Sequence, residues 1–240
     1  MRGEGETVSE IKERPILFSA PMVRAILEGR KTVTRRVVKV QPFDLSWSRH
    51  DHRFEYTAGR LENGDEIDGF YAYTTRSGGE WSAKCPYGQP GDRLWVRETF
   101  ADLRGTGIEH RPDPEGPLQR YAYAADCRPG SYADEARKDY GIKWKPSIHM
   151  PRAACRILLE ITEVRVERLG DISDEQALAE GVRLYTDHAE FGDWYHVEGI
   201  ETYSAAPRRS FELLWSSING ADSWNSNPWV WVVEFKRVTP

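Results

Sequence analysis

The sequence predicts an α+β fold in which one small mixed β-barrel carries about three short helices and long loop insertions. Three observations lead to this prediction. Five or six segments alternate apolar and polar residues, or are apolar throughout, as β-strands do. Three short segments have apolar residues at helical spacing and are bounded by cap residues. The chain contains no internal repeat and no interdomain linker, so a single domain accounts for its 240 residues.

The first helix is predicted to begin near Ser19 and to end at Gly29. Pro21 suits a first helical turn, and glycine most easily takes the left-handed conformation that ends a helix. The next residues concentrate four cations and two hydroxyl groups: Arg30, Lys31, Thr32, Thr34, Arg35 and Arg36. Such a cluster either recognises an anion or is a solvated basic turn that leads into a strand, here predicted over 33–40.

A strong strand is predicted over 93–98. Successive side chains of a strand point to opposite faces, so Leu94 and Val96 share one face and Trp95 and Arg97 share the other. An indole and a guanidinium on one face can stack on a base and bind a carbonyl group or a phosphate. The alternative is a core tryptophan covered by an arginine whose head group reaches water.

Two later segments carry the remaining strand signals. Apolar positions fall on odd numbers up to Ile161 and on even numbers from Val164 onward. A strand cannot change phase without an extra residue, so we expect a bulge near Thr162–Glu163. The closing segment, from Trp229 to Phe235, is apolar on both faces and is therefore predicted to lie inside the sheet or barrel.

Two further helices are predicted in the second half of the chain. One begins at Ser173, with Gln176 as its capping-box partner and Gly181 as its terminator. The other has four apolar residues at the spacing i, i+3, i+4 and i+7: Phe211, Leu214, Trp215 and Ile218. One more short helix is expected near 132–138.

The domain boundaries follow from where these patterns stop. Residues 1–14 are predicted to form a flexible N-terminal tail, and residues 15–240 a single domain. Within that domain, three segments have little regular patterning and are predicted to be insertions near 41–90, 101–147 and 183–207. Long irregular segments in a compact domain are usually functional, so we expect them to form a lid or rim over a site.

The composition limits the class of function. A net charge of −5 argues against a non-specific nucleic-acid binder, whose affinity comes from neutralising phosphates, but it allows a local basic pocket. No apolar run approaches the ~20 residues that span a bilayer, and the charged N-terminus does not resemble a signal peptide. The three cysteines include no CxxC pair and are interpreted as reduced thiols. We therefore expect a cytoplasmic protein, without membrane contact, that handles a small molecule or one recognised base.

Several of these segments resemble an ASCH domain, a member of the PUA-like β-barrel superfamily. The matching segments are GRKTVTR at 29–35, GDRLWVRE at 91–98, the helix over 172–180 and the closing strand. The longer patterns LFSAPMVRAILEGRKTVTRR and NPWVWVVEF are similar to the bacterial and prophage-encoded branch of the family. The resemblance covers the core elements and leaves the three insertions unmatched. It implies a PUA-like barrel and either RNA binding or chemistry on modified nucleosides.

One bacterial ASCH group hydrolyses the amide of N4-acetylcytidine with a lysine, a threonine three residues later and a distant glutamate. The motif implies that Lys31 and Thr34 are the first two of these residues, and the helix that begins at Ser173 implies that Glu180 is the third. This chain departs from that group in its size and in a second arginine, Arg36. The resemblance therefore implies a catalytic set of three residues, while the substrate can differ.

The same residues make chemical sense without the family. Amide hydrolysis needs a nucleophile, a base and an acid for the leaving amine. Thr34 is the candidate nucleophile or the residue that positions a water molecule, Lys31 its base once burial and nearby cations lower its pKa, and Glu180 the proton donor. Residues three apart on a strand face opposite ways, so Lys31 and Thr34 share a pocket only if the chain is still turning after Gly29. The alternative for Glu180 is a surface ion pair with Arg183.

The expected substrate-binding residues surround that set: Arg30, Arg35, Tyr87, Trp95 and Arg97. We expect no metal and no cofactor, because the histidines lack a ligand spacing and no nucleotide-binding fingerprint is present. Two other classes of function remain open at this stage. One is an RNA-binding module without catalysis, whose phosphate contacts would be Arg30, Lys31, Arg35, Arg36 and Lys39. The other is a ribonuclease that uses the same basic cleft.

Overall fold

A computed structural model describes residues 11–41, 54–60, 66–74, 81–109, 115, 118–185 and 192–239. The described residues form a mixed α+β fold. Its strands are β1 (Glu13–Leu17), β2 (Val33–Val37), β3 (Glu55–Arg60), β4 (Glu66–Thr74), β5 (Trp81–Lys84), β6 (Arg93–Arg97), β7 (Phe100–Asp102), β8 (Tyr121–Tyr123), β9 (Leu158–Arg168), β10 (Arg183–Tyr185), β11 (Trp194–His196) and β12 (Trp229–Val238). Its α-helices are α1 (Ala20–Leu27), α2 (Tyr132–Asp139), α3 (Asp174–Ala179) and α4 (Pro207–Asn219).

The core of the molecule is a five-stranded sheet with the order β1-β6-β9-β12-β2. Only the β1–β6 pair is parallel, and the other three pairs are antiparallel. Strand β12 lies between β9 and β2, and its first five residues are all buried. The prediction that the closing strand is interior is therefore confirmed, since it has a paired strand at each edge and five consecutive buried residues, which means that both of its faces are covered.

The predicted bulge in β9 is confirmed. The consecutive residues Glu234 and Phe235 of β12 pair with Glu163 and Ile161, so Thr162 is the extra residue on β9. The bulge lets the apolar residues on either side of it reach the same core despite their change of phase. In β6, Leu94 and Val96 are buried as the alternation predicts.

The closed barrel that the sequence predicts is not found among the described strands, which form open sheets. The edge strands β1 and β2 do approach each other, because a guanidinium nitrogen of Arg36 on β2 donates to the carbonyl oxygen of Leu17 at the end of β1, at 2.8 Å. That contact uses a side chain, and no backbone pairing of the described residues joins these two edges.

Each of the three predicted insertions contains a small sheet of its own. A three-stranded sheet with the order β3-β4-β5 falls within 41–90, the β7–β8 pair within 101–147 and the β10–β11 pair at the start of 183–207. The short helix expected near 132–138 is α2. The sequence did not locate these sheets, since short strands with mixed composition carry little periodicity.

Of the predicted N-terminal tail, residues 1–10 lie outside the described part of the chain. Glu13 and Arg14 already belong to β1, which pairs with β6 from Glu13 to Leu17. The ordered domain thus begins slightly before the predicted boundary at residue 15. None of the described helices combines the length and the apolar character needed to cross a bilayer.

Candidate active site around Lys31 and Glu180

The turn after α1 delivers Lys31 to the interior. Gly29 has a φ of +75°, a conformation that favours glycine, and the backbone N–H groups of Arg30 and Lys31 both donate to the carbonyl oxygen of Ala25, at 2.9 and 3.0 Å. The chain therefore folds back on its own helix and is still turning at Lys31. Strand β2 begins only at Val33. A chain that is still turning after Gly29 is what the sequence analysis required if Lys31 and Thr34 were to share a pocket.

Helix α3 delivers Glu180 to the same point. Ser173 and Gln176 form the predicted capping box, and Glu180 is the C-cap residue of the helix. Gly181 follows with a φ of +107°, and a Cβ there would come within 3.2 Å of the Cβ of Ala25 on α1. A residue without a side chain is therefore needed for α3 to end this close to α1. The backbones of Lys31 and Glu180 then form an isolated antiparallel bridge.

Lys31 and Glu180 form a buried ion pair. The Lys31 Nζ donates to Oε2 of Glu180 at 2.6 Å, to the backbone oxygen of Glu180 at 2.9 Å and to the backbone oxygen of Val33 at 2.9 Å. Their side chains are only 1% and 3% exposed. Three acceptors match the three protons of an ammonium group, so Lys31 becomes a base only after one proton passes to Glu180.

The second oxygen of Glu180 is bound by Arg35. Its Nη1 lies 3.2 Å from Oε1 of Glu180, and its Nη2 lies 3.4 Å from Oε2 of Glu167 on β9. The Arg35 side chain is fully buried. Both carboxylate oxygens of Glu180 thus accept from cations, and these contacts take the place of the alternative, a surface ion pair with Arg183. The Arg183 Nε instead donates to the His196 ring at 2.7 Å.

The pKa of Lys31 is lowered from its ordinary value. Burial is the largest cause, since the charged form loses its hydration, and the nearby charges of Arg36 and Arg35 act in the same direction. The Glu180 carboxylate acts against them by attraction and by its hydrogen bond. The direction is the one that a base needs, and its main cause agrees with the sequence argument.

Lys31, Arg35 and Glu180 line a cavity of about 190 Å³. One wall is cationic and hydroxylic, with Lys31, Thr34, Arg35 and Arg36. Thr34 is buried, and no protein hydrogen bond to its hydroxyl is found within the described part of the chain. A threonine hydroxyl without a protein partner, on a residue that lines the same cavity as a buried lysine, is available for a ligand.

The other walls are aromatic and apolar. Phe18 lies against the cationic wall, with the Lys31 Nζ 5.7 Å and the Arg36 guanidinium carbon 5.4 Å from its ring centre. Tyr87 also lines the cavity, as predicted, and burial raises its pKa, so its phenol stays protonated. The remaining apolar wall comes mainly from α4 and consists of Phe211, Leu214, Trp215 and Ile218.

Sequence reasoning identified that face of α4 but not its role. The spacing of Phe211, Leu214, Trp215 and Ile218 predicts an apolar helix face and assigns it no role. The same face forms a wall of the cavity, and Ile218 remains 60% exposed. Spacing along one helix says which residues share a face and not which element that face meets.

Three predicted substrate-binding residues lie outside the cavity. Arg30 donates to Glu28 and, at 3.0 Å, to the backbone oxygen of Gly181, on the other side of the turn from Lys31. Trp95 and Arg97 lie on β6, which β9 and β12 separate from β2 in the sheet. The Arg97 guanidinium stacks over the Trp95 ring, 5.4 Å from its centre, and also donates to the backbone oxygen of Ile148. This pair fits the alternative in which an arginine covers a half-buried tryptophan.

Among the described residues, no group of three or more His, Cys, Asp or Glu side chains is arranged to hold a metal ion. The residues that the site does offer are a lysine, a threonine, a glutamate and arginines, which suit proton transfer and the stabilisation of negative charge.

Comparison of the chain with protein-family models, with curated proteins and with solved structures finds no match.

Proposed function

We propose that this chain is a metal-independent amidohydrolase that acts on N4-acylated cytosine nucleosides or bases through Lys31, Thr34 and Glu180. The observation that carries the proposal is the buried contact of 2.6 Å between Lys31 and Glu180, on the wall of a cavity that Thr34 also lines. A base with a lowered pKa, a free hydroxyl and a carboxyl group that can relay a proton are the groups that amide hydrolysis requires. The proposal includes an ASCH relationship with a PUA-like barrel and a cytoplasmic location.

The acylation step uses the ion pair as a proton relay. A proton passes from Lys31 to Glu180 across their hydrogen bond and leaves a neutral amine. The neutral amine of Lys31 takes the proton of the Thr34 hydroxyl while the Thr34 oxygen bonds to the acyl carbon. The charge of Arg35 stabilises the oxyanion that forms on the acyl group. Glu180 then gives its proton to N4 as the carbon–nitrogen bond breaks, which releases the cytosine base or nucleoside.

Deacylation repeats the relay with water. Lys31 again passes a proton to Glu180. It then takes a proton from a water molecule while the oxygen of that water attacks the Thr34 ester. The ester bond breaks, Glu180 gives its proton to the Thr34 oxygen, and the carboxylic acid leaves. The sum is one water consumed, with one amine and one acid released. If Thr34 positions water instead, the same relay activates that water directly.

The burial of the cationic residues favours this enzyme over an RNA-binding module. Lys31 and Arg35 are only 2% and 4% exposed, so they cannot contact a phosphate backbone. Of the five cations considered for RNA, Arg30, Arg36 and Lys39 keep larger exposed fractions. Arg30 and Arg36 are already engaged with Glu28 and Leu17.

The proposal is tested by following the release of cytidine from N4-acetylcytidine and N4-benzoylcytidine. We expect turnover by the wild type and a fall in kcat/KM of about 10³-fold in Lys31→Met, because a general base contributes roughly 10²–10⁴-fold. Lys39→Met is the matched control, since Lys39 is exposed and does not line the cavity. Circular dichroism checks that both variants are folded.

The pH dependence gives a second readout of the same step. The relay starts from protonated Lys31 and burial lowers the pKa of Lys31, so kcat/KM should fall with pH along a limb centred below the ordinary lysine value of 10.5. Glu180→Gln removes both the relay and the carboxylate that raises the pKa of Lys31, so its residual activity should instead rise with pH as Lys31 loses its proton, along a limb at lower pH. Absence of cytidine release from both substrates would overturn the proposal, and RNA cleavage that chelators abolish would favour the ribonuclease.

A further inference from the structure

The cavity beside Lys31 and Glu180 has more positive than negative charge on its walls. The residues that line it include three cations, Lys31, Arg35 and Arg36, and one carboxylate, Glu180. Lys31 and Arg35 both bind Glu180, and Arg35 also reaches Glu167. Arg36 forms no ion pair with any residue that the structure describes. A concave site with one cation in excess attracts an anion.

The guanidinium of Arg36 is held in place but still has N–H groups to donate. Its Nη2 donates to the carbonyl oxygen of Leu17 at 2.8 Å, and its carbon lies 5.4 Å from the centre of the Phe18 ring. A guanidinium has five N–H groups, so four have no protein partner within the described ranges. Arg36 is half-buried, and none of its nitrogens is both inaccessible and unpaired, unlike Nε of Arg35. Because Arg36 lines the cavity, a ligand there can reach these groups.

The charge of Arg36 lies close to the reacting groups. Arg36 and Thr34 are two residues apart on β2, so their side chains leave the same face of the strand, about 7 Å apart at the backbone. Burial is the main cause of the pKa shifts of Lys31 and Tyr87, and the charge of Arg36 acts to lower the pKa of each. An anionic group bound by Arg36 would therefore lie beside the acyl group that Thr34 attacks.

An anion in this position has two chemical sources in an N4-acylated cytosine compound. One is a carboxylate at the far end of the acyl group, as in an N4-succinyl group. The other is the 5′-phosphate of a nucleotide. Arginine binds both, because its planar fork matches the spacing of carboxylate and phosphate oxygens.

We propose that Arg36 is a specificity residue, and that the substrates of this site carry an anionic oxygen group, a phosphate or a carboxylate, to which its unpaired N–H groups donate. This inference rests on the proposed function and narrows its substrate class to anionic acylated cytosines. The hydrogen bond to Leu17 orients the guanidinium in advance, which lowers the entropy lost on binding. Neutral N4-acetylcytidine is then the weaker substrate.

The first test compares substrates that differ only in charge. N4-acetylcytidine 5′-monophosphate is paired with N4-acetylcytidine, and N4-succinylcytidine with the neutral amide of its free carboxyl group. We expect the wild type to prefer the charged member of at least one pair by about 30-fold in kcat/KM, mainly through KM, as for a hydrogen bond to a charged group. The pair that shows the preference identifies the source of the anion. Equal kcat/KM within both pairs would overturn the inference.

The second test assigns the preference to Arg36. Arg36→Gln should lose it and Arg36→Lys should keep part of it, because lysine retains the charge without the planar fork. The ratio within a pair cancels any general loss of stability or rate, since both substrates meet the same protein. Arg237→Gln is the matched control, because Arg237 also donates to a backbone oxygen, that of Leu27 at 3.2 Å, without lining the cavity. A full preference in folded Arg36→Gln would contradict the proposal.

The two proposals fail separately, because binding is also measured by calorimetry in Thr34→Val, which lacks the hydroxyl. If the wild type hydrolyses none of the four compounds, but Thr34→Val binds a charged one more tightly than its neutral partner and adding Arg36→Gln removes the difference, the proposed reaction is wrong and the anion site is supported. If hydrolysis occurs without any preference for charge, the reaction stands and the role of Arg36 is wrong. If none of the compounds reacts or binds, both are overturned.

Discussion

Glu98 and Glu180 are both buried carboxylates held by arginine, and they differ in what surrounds them. Both oxygens of Glu98 are bound by Arg156, at 2.8 and 3.0 Å, and the same guanidinium binds both oxygens of Asp126, at 2.6 and 2.9 Å. Arg156 also stacks on Tyr123, with its guanidinium carbon 3.9 Å from the ring centre. Four of the five N–H groups of this arginine are used in these bonds, which leaves one.

The network around Glu180, which consists of Lys31, Arg35, Thr34 and Glu180 and is called the Glu180 network here, contains hydrogen-bonding groups that have no partner in the described part of the chain. Arg35 has an unpaired but inaccessible Nε, and the Thr34 hydroxyl makes no protein hydrogen bond among the described residues and belongs to a residue that lines a cavity. Burial of a charge is common to the two networks and so does not identify a site by itself. The difference lies in unused hydrogen-bonding capacity next to a space that a ligand can enter. Glu98 and Arg156 instead attach the β7–β8 segment to the central sheet.

The largest effect should come from removing the free hydroxyl of the Glu180 network. Thr34→Val keeps the shape of the side chain, and valine suits a strand, so stability should change little. We expect kcat/KM for N4-acetylcytidine to fall about 10³-fold, whereas Thr34→Ser keeps the hydroxyl and most of the activity. Full activity in a folded Thr34→Val protein would mean that Thr34 neither attacks nor positions water.

Removal of Arg156 should damage stability and leave chemistry intact. Arg156→Met strands the Glu98 carboxylate in the interior, which costs about 3 kcal/mol of unfolding free energy and lowers Tm by roughly 6–12 °C. Adding Glu98→Gln should recover much of this loss, because the buried charge is gone. Calorimetry measures both, and kcat per folded molecule should equal that of the wild type. A folded but inactive Arg156→Met would break the comparison between the two networks.

The smallest expected effect comes from removing the N-cap serine of either of two helices. Ser173 caps α3, which delivers Glu180, and Ser131 caps α2, in the segment that the Glu98 network attaches. Each serine→alanine change should cost about 1 kcal/mol in denaturant unfolding. Only Ser173→Ala should also lower kcat several-fold, since it loosens the helix end that holds Glu180. An equal loss of kcat in Ser131→Ala would mean that α2 also contributes to the active site.

The features that the sequence predicted well are local ones. The helix ends at Gly29 and Gly181 and the bulge at Thr162 follow from backbone conformation and residue alternation, which act within a few positions. The pairing of Lys31 with Glu180 spans most of the chain, and only the family motif pointed to it. The family resemblance identified Lys31 and Glu180 as candidates, and the structure shows that they are in contact.

The features that the sequence missed depend on the order of strands. Alternation put Trp95 and Arg97 on one face of β6, and nothing local says that these residues do not line the cavity, although β6 pairs with β1, whose last residue contacts Arg36 on β2. Neighbouring residues in a turn raise the same difficulty, since Arg30 points away from the cavity and Lys31 into the interior. A single sequence therefore gives candidate side chains and their faces, while the assembly of strands decides which of them meet.

The middle position of β12 has a consequence for synthesis on the ribosome. Strand β2 reaches the sheet only through β12, and the Phe235 N–H donates to the carbonyl oxygen of Thr32, at 2.9 Å, beside Lys31. Translation makes β2 before β12, so the nascent chain carries Lys31 and its apolar neighbours without their partner strand until β12 has been synthesised. Because such distant pairings form slowly, this interval is when the chain is most exposed to aggregation and to chaperones.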